Sequence, residues 1–151
     1  MIGMKRVCVM NSEQVLCRAD KTLDTAAFVA DGLHDDIGEY LPCLTINISL
    51  NGRTIAGVLI NDIRPKRDCW LTIYSTSERW ATRRVMRYVF GIVFKMIEAE
   101  RCSVFVSAEN SKSLNMCLRL GFKQEGLLRK YRNYGQDCVV LGMLKNECKW
   151  I

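Results

Sequence analysis

The stretch SERWATRRV, residues 77–85, gathers side chains well suited to holding a ligand: Arg79, Arg83 and Arg84, with Arg87 just beyond. Apolar residues at Ala81, Val85, Tyr88, Val89, Ile92, Val93 and Met96 predict a helix that begins here rather than ends here. A helix amino end carries the positive pole of the macrodipole, so each cation there costs about 0.3–1 kcal/mol. A bound anion would make that arrangement worthwhile, because free amides and guanidinium forks both suit phosphate oxygens. Two plainer explanations compete. Ser75-x-x-Glu78 fits a capping box that would satisfy the same amides internally. Arginines on an exposed helix face are also ordinary solvated charge.

The net charge of +6 is unevenly placed. Residues 1–75 hold 8 Lys/Arg against 9 Asp/Glu, and residues 76–151 hold 14 against 7. A basic half suggests an anionic partner without saying which. No recognised nucleic-acid motif accompanies it, so nucleic acid is not the expected partner. With 151 residues the chain is expected to form one domain with one substantial core. No apolar run reaches the length of a membrane span, and the opening MIGMKRVCVM has no signal-peptide h-region. The expected location is therefore cytoplasmic. Eight scattered cysteines without a C-x-x-C pair, and one histidine, His34, argue for reduced thiols and no metal site. Cys43, Cys102 and Cys138 interrupt apolar strands and read as small buried hydrophobes. His34 reads as a surface side chain.

The elements that must position these residues follow from pattern. VCVM and QVLC suggest an edge strand and a turn, and residues 22–41 suggest a helix with Gly32 as a break. Two β-rich runs flank Asn51-Gly52, the strongest short-range hairpin signal. WLTIYST reads as the third strand of a meander over residues 43–76. After the long helix, CSVFVSA is continuous enough to be a central strand. NSKSLNMCLRLGF reads as a short helix with Asn110 or Ser111 at its cap and Gly121 past its end. Two strands around Tyr134-Gly135 close the chain. The fold class is a mixed α/β sheet with helices on both faces.

Asn110, Ser113, Leu120-Gly121-Phe122 and Glu125-Gly126 together resemble the carboxy-terminal half of the GNAT superfamily of N-acetyltransferases. The resemblance spans about residues 43–146 and is nearest the branch acetylating ribosomal-protein N-termini, with pattern N-x-x-S…L-G-F-x-x-E-G. The tail LGMLKNECKW resembles short members found in bacteriophage and prophage genomes. The resemblance implies a mostly antiparallel sheet, acetyl-CoA as co-substrate, and an amine as acceptor, either a small molecule or a protein N-terminus or lysine. Homodimers are common in the superfamily.

Residue by residue, the resemblance puts the pyrophosphate in the loop between WLTIYST and the long helix. The pattern Arg/Gln-x-x-Gly-x-Gly/Ala falls on Thr76, Arg79 and Ala81, so two of three expected residues are absent. Trp80-Ala81-Thr82 does resemble the Tyr-Ala-Thr of the helix start, with Arg83 and Arg84 following. The resemblance also implies that the thioester carbonyl meets a backbone N–H within Thr72–Ser75, taken here as Ile73 and Ser75. Asn110 matches the residue contacting the pantetheine arm, and Ser113 a donor to the departing sulfur. The usual tyrosine acid is replaced by Cys117. No general base stands out; Asp62, at the end of GVLIND, is the nearest carboxylate, although a turn-forming role also explains it. Tyr74 faces the cleft only if the register allows. The acidic residues Asp31, Asp35, Asp36 and Glu39 would attract a cationic amine or simply solvate a helix face. The function implied is direct acetyl transfer in a ternary complex. A catalytically idle scaffold of the same fold is the alternative.

Overall fold

A computed structural model of the chain describes residues 14–132 and 135–151. The VCVM segment and Tyr134 lie outside the described residues. Seven strands form one sheet in the order β1-β2-β3-β4-β5-β7-β6. They are β1 (Val15–Asp20), β2 (Cys43–Leu50), β3 (Arg53–Arg64), β4 (Asp68–Ser75), β5 (Arg101–Ser107), β6 (Lys123–Leu128) and β7 (Cys138–Leu144). Every neighbouring pair is antiparallel except β4 and β5. The QVLC segment belongs to edge strand β1 rather than to a turn.

The β2–β3 hairpin turns at Asn51-Gly52, where both residues take positive φ (52° and 79°). β3 is buried without a break from Ile55 to Asn61, as befits a strand covered on both faces. On one face lies helix α1 (Asp24–Leu33); on the other lie α2 (Arg83–Gly91), prolonged by a π-helical turn (Ile92–Met96), and α3 (Ser111–Leu120). Phe90, Phe94, Val89 and Val93 fill the space beneath α2, and Phe90 meets Phe122 with ring centroids 6.1 Å apart. Cys102 and Cys138 are fully buried thiols, and Cys43 is half-buried. His34 is exposed.

α1 is shorter than its apolar pattern predicts. It ends not at Gly32 but at His34, which takes the left-handed conformation (φ 60°) and whose backbone N–H donates to the carbonyls of Ala30 and Asp31. Close packing at two glycines holds it down. A Cβ on Gly57 of β3 would stand 2.6 Å from Val29 Cγ2, and one on Gly32 would stand 2.2 Å from the Tyr74 ring. At its start, Asp20 accepts from Thr22 N (2.9 Å), Thr25 N (3.2 Å) and Thr25 Oγ1 (2.5 Å).

Those hydrogen bonds, led by that from Thr25, pull the Asp20 carboxyl down to about 2. A carboxylate depressed in the folded state stabilises fully above its unfolded value, near 3.9, and loses that contribution as pH falls through the folded value. Asp20→Asn is therefore expected to cost about 1 kcal/mol at pH 7, the scale of a lost helix cap. The difference from wild type should vanish between about pH 4 and pH 2 in urea melts.

Candidate active site

β4 and β5 pair from Asp68↔Arg101 to Leu71↔Val104 and no further, although both strands continue to Ser75 and Ser107. Beyond that fork the sheet opens into a cavity of about 740 Å³. Its walls include Thr72–Thr76 on one side and Val104–Ser107 on the other, with α3 closing one end. At the fork, on the α1 face, Trp70 stacks on Phe105 at 4.2 Å and Tyr131 closes on Phe105 at 5.0 Å.

Alternation decides what β4 offers to the gap. Thr76 N donates to Ile55 O of β3 at 2.8 Å, so Tyr74 and Thr72, two and four residues earlier, also turn their amides toward β3. The N–H groups of Ile73 and Ser75 then face the open side. Two backbone donors thus line a cleft, as an oxyanion requires. The same register settles Tyr74: it pairs with Gly57, points to the α1 face, packs on Phe28 at 5.5 Å and forms part of the cavity wall.

The loop after β4 contains a short 3-10 turn (Glu78–Trp80) before α2 starts at Arg83. The expected capping box between Ser75 and Glu78 does not form. Ser77 Oγ accepts from Arg79 N at 3.2 Å, Thr82 Oγ1 caps α2 by accepting from Val85 N at 3.2 Å, and Glu78 pairs with Lys112 at 3.0 Å. The helix thus begins two residues later than the pattern predicts, and the carboxylate is drawn away toward α3. The first-turn amides of Arg83 and Arg84 have no acceptor within the helix. Arg79, Arg83, Arg84 and Arg87 are all exposed at this end, whereas Ala81 is half-buried and Trp80 wholly buried.

α3 supplies the opposite wall. Asn110 Oδ1 accepts from Ser113 N at 3.1 Å, and Asn110, Ser113, Met116 and Cys117 all line the cavity. Burial pushes the Cys117 thiol up to about 11. The carboxy-terminal tail locks this helix: Trp150 Nε1 and Lys149 Nζ donate to the carbonyls of Leu120 and Arg119, at 2.9 and 2.8 Å.

On the α1 face, a chain of polar groups that includes the candidate carboxylate Asp62 runs along the cavity. Thr72 Oγ1 donates to Asn61 Oδ1 (3.1 Å), and Asn61 Nδ2 donates to Asp62 Oδ2 (3.1 Å). Asp62 is exposed at the rim and sits in a bulge of β3 with φ 48°, not in a turn before RPKRD, because β3 runs on to Arg64. Asp35, expected with Asp31, Asp36 and Glu39 either to attract a cationic amine or to solvate a helix face, has a side chain only 2% exposed. It accepts from the Tyr40 hydroxyl and from Arg132 Nη2 (3.1 Å), tying the loop after α1 to the segment after β6. Nothing local marks this bridge, because its partners stand 97 residues apart. Among the described residues, no group of His, Cys, Asp and Glu is arranged to hold a metal.

No protein-family model matches the sequence, and no curated protein does either. Solved structures do match. A spermidine N-acetyltransferase, SpeG, from Vibrio cholerae is 15% identical and aligns over 88% of this chain and 95% of that one, with TM-score 0.69. A ribosomal-protein alanine acetyltransferase from Vibrio fischeri is 14% identical over 89% of this chain and 95% of that one, with TM-score 0.68. The fold is that of the GNAT acetyltransferases. It holds although the loop before α2 carries Thr76 and Arg79 at positions where the superfamily pattern has other residues.

Proposed function

We propose that this chain is an N-acetyltransferase, moving an acetyl group from acetyl-CoA to a primary amine by direct transfer in a ternary complex. The observation that carries the reading is the β4–β5 fork. Backbone donors at Ile73 and Ser75 face its gap, and Ser77, Glu78 and Trp80 of the loop that leads to α2 line the same cavity, whereas Arg79, Arg83 and Arg84 do not line it. The phosphates of acetyl-CoA would lie against Arg79, Arg83, Arg84 and the loop through Trp80, Ala81 and Thr82. Its pantetheine arm would pass Asn110, and its thioester would meet the cleft amides.

The amine would approach from the α1 face, past Tyr74 and the Thr72–Asn61–Asp62 chain. Asp62 takes the proton that the amine must lose before attack. The nitrogen lone pair then forms the C–N bond, the carbonyl oxygen charge is held by the Ile73 and Ser75 amides, and the C–S bond breaks. Ser113 donates to the departing thiolate. The Cys117 thiol, one turn along α3 and protonated at neutral pH, lines the same cavity and is a second proton source. Ser113→Ala is accordingly expected to lower kcat roughly tenfold, as one lost hydrogen bond to a charged group would. Its Kd for acetyl-CoA should stay within about twofold by calorimetry.

Asp62 and Glu39 both belong to the cavity and leave the acceptor side with carboxylates available to a cationic amine. Spermidine and a ribosomal-protein alanine, named for the neighbours above, are therefore the first acceptors to try. The test is acetyl-CoA titration followed by acetylation of a panel of polyamines, lysine and amino-terminal peptides. Turnover on any of them supports the enzyme; absence of acetyl-CoA binding sinks it. The departures at Thr76 and Arg79 favour a second reading, an idle scaffold of the same fold. Tight acetyl-CoA binding without turnover on the whole panel would select that reading.

A further inference from the structure

On the α1 face of the sheet, aromatic side chains floor the cavity at the β4–β5 fork. Alternation along β4 puts Trp70, Thr72 and Tyr74 on that face, about 6.7 Å per step, and all three line the cavity. Phe105 of β5 stacks on Trp70 at 4.2 Å with the planes 21° apart, and Tyr131 tilts onto Phe105 at 5.0 Å. Trp70 and Phe105 are only half-buried, and Tyr131 is 55% exposed. Among the described residues, none of these three packs into either hydrophobic core. Their ring surface therefore borders the cavity instead, where a ligand ring would find offset and edge-on partners.

The charges nearby favour one ammonium and a ring over a chain of ammonium groups. Asp62 and Glu39 are exposed at the cavity rim, and Asp62 serves the reacting amine. The wall beside Tyr131 is Arg132, which stays cationic and 26% exposed while Asp35 holds it. A second ammonium would meet that guanidinium as a like charge, whereas an aromatic ring would stack on it favourably.

We infer that the acceptor amine is carried two carbons from an aromatic ring, and that Trp70, Phe105 and Tyr131 form the subsite for that ring. The inference rests on the reading of this cleft as an acetyltransferase site. The nitrogen stays beside Thr72, at the head of the Thr72–Asn61–Asp62 chain. Two carbons carry the ring across one strand step, about 6.7 Å, onto the Trp70–Phe105 stack. Arylethylamines and peptides beginning with an aromatic residue share this spacing of nitrogen and ring.

The test gives each source its control. Phenethylamine is compared with 2-cyclohexylethylamine, of similar bulk but without a π face, and a phenylalanyl tripeptide with an alanyl one; spermidine is the aliphatic polycation. At least one aromatic probe should exceed its control in kcat/KM by about tenfold, the scale of an aromatic contact, and should exceed spermidine. The better of the two aromatic probes assigns the source. Tyr131→Ala should shrink the ratio of aromatic probe to control about fivefold, and Tyr131→Phe, which keeps the ring, should preserve it. Equal rates for each probe and its control, a preference for spermidine, or a ratio untouched by Tyr131→Ala overturns the inference and leaves acetyl transfer intact. Should Tyr131→Ala fail to fold, the wild-type ratios decide alone. Absence of acetyl-CoA binding, or of turnover on every probe, overturns both.

Discussion

Replacing Arg83 and Arg84 together by alanine is expected to weaken acetyl-CoA binding about 30- to 100-fold and to leave the free protein slightly more stable. Both residues lie in the first turn of α2, which contains no acidic residue, and both are exposed. In the free protein their charges oppose the helix macrodipole by about 0.3–1 kcal/mol each, and alanine is also the better helix former. With a polyphosphate bound, each guanidinium gains a charge-assisted hydrogen bond beside the unpaired amides of the same turn. Two such bonds at a wet site amount to about 2–3 kcal/mol, which is the stated loss in affinity. Wild-type affinity should also fall more steeply with added salt than that of the double variant. Calorimetry at two salt concentrations and a thermal melt check all three parts. An unchanged Kd with the same stabilisation would mean that the arginines are solvated charge.

Asp35→Ala is expected to be the most destabilising of the substitutions considered, by about 2–3 kcal/mol. The Asp35 side chain is 2% exposed and holds both Arg132 and the Tyr40 hydroxyl. Removing it leaves one buried phenol and one partly buried guanidinium without their acceptor. The Arg132 side chain retains 26% exposure, so water recovers part of the loss and the estimate stays below that for a fully buried pair. For a chain of 151 residues the melting temperature should fall by about 5–10 °C. Because the bridge joins the loop after α1 to the segment after β6, its loss should also raise KM for the amine. The Kd for acetyl-CoA, bound on the other side of the fork, should not move. The wild-type bridge withstands alkali. Burial first, and Asp35 second, push the Tyr40 hydroxyl well above its ordinary value. A raised phenol contributes stability that is complete below the unfolded value near 10 and declines only as pH climbs beyond it.

The groups discussed here share one energetic character. Trp80 Nε1 is unpaired, the arginines crowd the wrong pole of a helix, and Asp62 holds a positive φ in a bulge. Each departs from what stability alone favours, and Trp80 and Asp62 both line the same cleft. Departures of that kind are expected where a fold is arranged around a ligand rather than for its own stability.

The sequence by itself determined what depends on neighbours along the chain. Asn51-Gly52 dictated the first hairpin because both residues tolerate positive φ, and Asn110 and Gly121 bounded α3 because capping is local chemistry. The switch of apolar spacing from 2 to 3.6 after Thr76 separated β4 from α2. The order of elements, and with it the fold class, was legible on those grounds. What only the tertiary structure decided depends on groups distant in sequence. Side-chain alternation places Tyr74 on one face or the other only once its register against Gly57 is known. Glu78 left its capping box because α3 brings Lys112 to 3.0 Å, and α1 stopped at His34 rather than at a glycine. Asp35 became buried because a residue 97 positions away supplied its counter-charge. The fork between β4 and β5, around which the whole site is arranged, is a property of two strands that cease to pair, and no residue type along either strand records where that pairing stops.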